Sequence, residues 1–64
     1  MYVNGRERSV QHNVTLFEFL EKKGYDMLRV AVEKNGSIVP KNTFETETLS
    51  NDDRLEIVTF VGGG

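Results

Sequence analysis

Two Asn-Gly dipeptides, Asn4-Gly5 and Asn35-Gly36, restrict the fold more than any other feature of this sequence. Asn-Gly supplies the two consecutive positive φ angles of a type I′ turn, whose twist matches that of the strands it joins. Each pair is flanked by strand-forming residues, so each predicts a hairpin. The first joins Met1-Tyr2-Val3 to a strand over residues 7–12, in which Val10 is the one clearly apolar member. That scarcity predicts a strand with one face in water, near a sheet edge. His12, at its end, reads as solvated. The second hairpin joins residues 29–34 to residues 37–39, and Pro40 ends the ladder because it has no N–H to donate. In the third strand Val30 and Val32 share one face, with Ala31 and Glu33 on the other.

Between the hairpins lies one helix. Thr15 and Glu18 have the spacing of a capping box, in which hydroxyl and carboxylate each take up a free backbone N–H. Val14 and Phe19 are placed for the accompanying hydrophobic staple. Leu16, Phe19, Leu20 and Lys23 share a face flanked by Phe17, a narrow apolar stripe to be packed inward. Glu18 and Lys22 stand four apart in the favourable order for an ion pair. Gly24 is the expected left-handed stop. A helix of roughly eight or nine residues is marginal alone and must be held by the sheet it covers.

After Pro40, residues 41–49 read as irregular, pinned to the core by Phe44 and Leu49. Asn51-Asp52-Asp53 is a turn, and residues 54–61 form the last strand, rich in β-branched and aromatic side chains. Leu55, Ile57 and Thr59 alternate with Glu56, Val58 and Phe60; Leu55 and Ile57 suit the helix-facing side, and Val58 and Phe60 then point away. Sixty-four residues hold one domain and no second layer, so Val58 and Phe60 are left exposed. With Val61 they predict a docking surface for a partner. The order β-β-α-β-β-β results, with no internal repeat, low-complexity segment or linker.

The sequence ends in Gly62-Gly63-Gly64. Glycines add no bulk and few backbone restrictions, so such a tail can thread a narrow channel. A terminal carboxylate, with a reference pKa of roughly 3.5, is ionised at neutral pH and inert until a partner activates it. The expected division is a domain over residues 1–61 and a flexible tail over 62–64. Residues 61–64 are expected to move on the nanosecond scale. An ordinary frayed end is the competing interpretation of the glycines.

Composition narrows the function classes. There is no cysteine, hence no disulfide framework and no thiol chemistry in the chain. One histidine makes a multi-ligand zinc site improbable. The formal charge is −2, from 8 basic and 10 acidic residues that are interspersed, unlike a nucleic-acid binder's basic stripe. No apolar run approaches the roughly 18 residues of a membrane span. The start lacks the pattern of a signal peptide, so a cytoplasmic location is expected. No nucleophile–base pair, metal cluster or phosphate loop is evident, and Glu18, Glu33 and Asp53 read as surface or structural residues. The chain is expected not to be an enzyme.

The sequence resembles the ThiS family of small ubiquitin-like sulfur carriers of thiazole (thiamin) biosynthesis. The matching features are Val3-Asn4-Gly5, the Thr15-Leu16 helix entry and Val30-Ala31-Val32. They continue through Asn35-Gly36-Ser37-Ile38-Val39-Pro40-Lys41, Leu49, Asp53, Glu56-Ile57-Val58 and Val61-Gly62-Gly63-Gly64. The resemblance implies an α+β fold, a β-grasp with a mixed sheet of four to five strands and one helix packed on one face. In it the first and last strands are parallel and central. It further implies that Gly64 carries sulfur. A ThiF-like adenylating enzyme would use MgATP to make the acyl-adenylate, while this chain binds no cofactor itself. Sulfur from a cysteine desulfurase persulfide would then give a thiocarboxylate, used by the thiazole synthase ThiG. Gly62 and Gly63 would enter the partners' active sites.

Two departures from the family pattern carry expectations. Asp52 stands where glycine is usual, so Asn51 or Asp52 is expected to take a left-handed conformation. Lys34 replaces a common apolar residue, which should thin the core. Rival readings remain open: a related carrier for molybdopterin synthesis or tRNA thiolation, or a plain β-grasp interaction module.

Overall fold

Both Asn-Gly turns form as their residues require, with φ of 51° and 81° at Asn4 and Gly5, and 54° and 86° at Asn35 and Gly36. The computed structural model describes residues 1–11 and 13–61. Strand β1 (Tyr2–Val3) turns into β2 (Arg6–Glu7), and helix α1 (Leu16–Lys23) follows. Strand β3 (Val30–Lys34) turns into β4 (Ser37–Ile38), and β5 (Arg54–Thr59) comes last. Single 3-10 turns precede β3 (Met27–Arg29) and follow Pro40 (Lys41–Thr43).

The strands form one sheet in the order β2-β1-β5-β3-β4. Strand β5 sits in its middle, parallel to β1 and antiparallel to β3. This is the mixed five-stranded sheet with one helix expected of a β-grasp.

The helix begins and ends where its signals lie. Thr15 Oγ1 accepts from the Glu18 N–H at 3.1 Å, and the Glu18 carboxylate accepts from the Thr15 N–H at 3.0 Å. Gly24, with φ of 85°, returns its N–H to the last turn. Leu16 and Leu20 are fully buried against Val30, Val32 and Leu55 of β3 and β5. Each such side chain stabilises the fold by about 1.5–3 kcal/mol relative to exposure. Met1, Phe19, Val39, Phe44, Leu49 and Ile57 complete the core. Phe44 and Leu49 pin the irregular segment as expected. It is further tied to the helix entry, where Leu16 N–H donates to Glu47 O at 2.7 Å and Phe17 N–H to Phe44 O at 2.9 Å.

Several boundaries differ from the sequence reading. The second strand is Arg6–Glu7 rather than 7–12, because β1 offers only two residues to pair with and Arg8 N–H closes the ladder on Met1 O. His12 lies outside the described residues. Arg29 ends a 3-10 turn rather than starting β3, since Asp26 caps that turn through the Leu28 N–H. Strand β4 ends at Ile38, although Val39 still donates to Val32 O at 2.9 Å. Strand β5 ends at Thr59, not Val61, because its partner β3 begins at Val30, opposite Thr59. Neither Asn51 nor Asp52 has a positive φ. The turn closes instead through Asp53 N–H to Ser50 O and Ser50 N–H to Asp53 Oδ2. The unexpected left-handed residue is Asn13, with φ of 64°.

Candidate functional site

The alternation of β5 sends Leu55 and Ile57 into the core and leaves Glu56 and Val58 on the sheet face away from the helix. Cross-strand register builds that face: Ala31 stands opposite Val58, Glu33 opposite Glu56, and Ile38 opposite Glu33. Val58 and Phe60 are 56% and 55% exposed and Ile38 76%, whereas Ile57 and Val39, next to Val58 and Ile38 in sequence, are buried. A shallow hollow of about 120 Å³ lies among Ala31, Ile38 and Val58, rimmed by Glu33 and Glu56. Two like charges directly opposite on paired strands disfavour the sheet. The face is thus an apolar strip with an acidic rim.

Backbone order follows β5 one residue past its end, because Phe60 N–H donates to Arg29 O at 2.7 Å. Val61 follows, and is almost fully exposed. Gly62, Gly63 and Gly64 lie outside the described residues, as does the division at residue 61 that the sequence suggests. Of the expected site residues, Val58, Phe60 and Val61 therefore stand together on the surface at the end of the central strand. Ala31, which the alternation of the third strand already set on the outer face, and Ile38, which sequence reasoning missed, share the same face. The period-two pattern of the second hairpin contains that signal, since Ile38 pairs with Glu33, already assigned to the outer face.

The partly buried titratable cluster lies elsewhere, where β3 turns into β4 and β5 begins. Lys34 Nζ lies 2.8 Å from Glu47 Oε2 and 3.7 Å from Asp53 Oδ2, and donates to Thr48 O at 3.0 Å. Hydrogen bonding to Glu47, helped by the Asp53 charge, raises the Lys34 pKa against the opposing effect of burial. Burial pushes the Asp53 carboxyl up, yet donation from Asn35 and the Ser50 N–H, with the Lys34 charge, holds it below its ordinary value. Asn35 Oδ1 also accepts from Arg54 N–H at 2.9 Å. Lys34 therefore does not simply thin the core; it ties the β3–β4 turn to the entry of β5. Asp53 is structural, as its sequence context suggests. Among the described residues no group of three His, Cys, Asp or Glu side chains comes together as a metal site. No helix among them is long and apolar enough to cross a membrane.

The fold has known counterparts. The ThiS family model matches residues 1–64. The chain is similar to a thiazole synthase of Paramagnetospirillum magneticum, 41% identical over 100% of this chain and 20% of that protein. A thiazole synthase of Magnetococcus marinus is 34% identical with the same coverage. The chain thus spans 20% of the length of both relatives. The crystal structure of a thiamine biosynthesis protein (ThiS) from Geobacter metallireducens superposes with a TM-score of 0.81 at 30% identity, covering 98% of this chain and 96% of that one. With the family matched over its whole length and the five-stranded sheet and helix shared with that structure, the chain belongs to the ThiS family and has its β-grasp fold.

Proposed function

We propose that the chain is a sulfur carrier of thiamin biosynthesis whose Gly64 carboxylate is the reacting group. Family membership supports the carrier role in that biosynthesis. The observation that carries the reading is the placement of Val58 and Phe60: exposed apolar side chains on the central strand and one residue past its end, with Val61 and then three glycines following in sequence. A rigid strand brings the tail to the partner, and the glycines supply reach without bulk.

A carboxylate is a poor electrophile and needs a leaving group. In the proposed sequence an oxygen of the Gly64 carboxylate attacks the α-phosphorus of ATP on a ThiF-like enzyme, pyrophosphate leaves, and an acyl-adenylate forms. The terminal sulfur of a desulfurase-derived persulfide then displaces AMP. Attack by a thiol on the remaining sulfur–sulfur bond releases the thiocarboxylate, which a thiazole synthase of the ThiG type accepts. The carrier contributes binding and positioning, and magnesium and ATP belong to the activating partner. The two thiazole synthase relatives favour this destination over molybdopterin or tRNA thiolation. Release of pyrophosphate by the adenylating enzyme should require this chain and cease when Gly64 is deleted. Release that persists without Gly64 would refute the assignment.

A further inference from the structure

A second surface lies on the opposite side of the sheet, where edge strand β2 faces the last turn of α1. Arg6 pairs with Val3, whose side chain packs on the core, and so projects toward the helix. Arg8 follows two residues later, its N–H bonded to Met1 O at 2.7 Å. Lys23 approaches from the helix, its ammonium 5.9 Å from the Phe19 ring centre. These three cations and the rings of Phe19 and Tyr25 line an open groove of about 380 Å³. The ion pairs of the described residues use Arg29 and Lys34, so none of the three groove cations is neutralised by a carboxylate there. In a chain of net charge −2 this is a local reversal of sign.

The groove lies beside β5, the strand that precedes the tail in sequence. Asn4, at its wall, binds the backbone of Ile57. Phe60 lies roughly 10 Å farther along the strand, at about 3.3 Å per residue. We infer that the groove between β2 and the C-terminal end of α1 docks an acidic surface of the adenylating enzyme, guiding the tail into its active site. The inference rests on the carrier reading. The groove's openness and polar lining argue against a small anion, because small-molecule sites bury most of their ligand against apolar walls. Three cations in an acidic chain also fall short of a nucleic-acid footprint. Complementary charge of this kind acts chiefly on the rate of encounter.

The test compares wild type with the double variant Arg6→Glu/Lys23→Glu against the adenylating enzyme. Association rate and ATP-dependent pyrophosphate release are both measured. All substituted side chains are exposed, and an unchanged thermal unfolding curve verifies the fold. Association should slow about tenfold or more at low ionic strength. The difference should vanish near 1 M salt, where the screening length is about 3 Å. The milder Arg6→Gln/Lys23→Gln variant should fall between. Saturating variant should restore pyrophosphate release, since the tail is intact. Equal association rates at low salt, with normal pyrophosphate release, would overturn the groove and leave the carrier reading standing. No pyrophosphate release from wild type would overturn both. Saturable binding of inorganic phosphate in the groove of the free chain would replace the protein partner with a small anion.

Discussion

The Asn4 side chain binds the backbone of Ile57 in both directions: Nδ2 donates to Ile57 O at 3.1 Å, and Oδ1 accepts from Ile57 N–H at 2.7 Å. The amide extends the parallel β1–β5 pairing past the last main-chain bond, which the Asn4 N–H itself makes to Leu55 O at 2.9 Å. One residue therefore closes the first hairpin, through its positive φ, and holds the central strand that leads to the tail. Asn4→Ala should lose about 2–3 kcal/mol, from two part-buried hydrogen bonds and a left-handed backbone without its favoured residue. Asn4→Asp keeps the acceptor but sets a carboxylate against Ile57 O, and should recover little of the loss. Urea unfolding of both variants gives the comparison.

The Lys34–Asp53 cluster contributes to the pH dependence of stability. The Asp53 carboxyl is held below its ordinary value, so its contribution is present above the unfolded pKa of about 3.9 and is lost as pH falls through the folded one. Lys34 is raised, so its contribution is complete below about 10.4 and is lost as pH rises through its folded value. Between those limits the two groups leave stability flat. Asp53→Asn should lower stability at neutral pH and remove this residue's share of the acid-side loss. Urea midpoints measured from neutral pH downward test this, and an undiminished acid-side slope in the variant would assign the slope to other carboxylates.

The capping box at the start of α1 is exposed, so its removal tests local helix energetics with little change to the core. Thr15→Ala should cost about 1 kcal/mol. Glu18→Gln retains an acceptor and should cost less. Thermal unfolding midpoints rank the two.

How much of this was legible in the sequence depended on how local each signal is. The Asn-Gly turns, the Thr15–Glu18 cap and the Gly24 stop are written within four residues and were readable. So was the division of β5 into Leu55 and Ile57 inside, Val58 and Phe60 outside. Strand ends were not, because they depend on a distant partner: β5 ends at Thr59 where β3 begins, and β2 ends where β1 runs out. Lys34 misled for the same reason, since Glu47 and Asp53 become its neighbours through the fold. The turn at residues 50–53 needed no left-handed residue because the Ser50 N–H found the Asp53 carboxylate three residues on. The basic groove unites Arg6 and Arg8 with Lys23, which no sequence spacing brings to them.

The apolar face predicts a separation of folding from binding. Val58→Asp and Phe60→Asp alter side chains more than half exposed, and each should change stability by about 0.5 kcal/mol or less. Each should weaken association with the adenylating enzyme about tenfold or more, as loss of an apolar anchor does at an interface. Calorimetric binding and thermal unfolding on the same samples decide the matter. Parallel loss of both would return the two residues to the core.

The measurement closest to the central claim is the intact mass of the chain after incubation with the adenylating enzyme, MgATP and a persulfide sulfur donor. The carrier reading predicts a gain equal to the replacement of one oxygen by sulfur, located at Gly64 and absent when Gly64 is deleted. An unchanged mass under conditions where the same enzyme and donor modify another ThiS-family protein would contradict it.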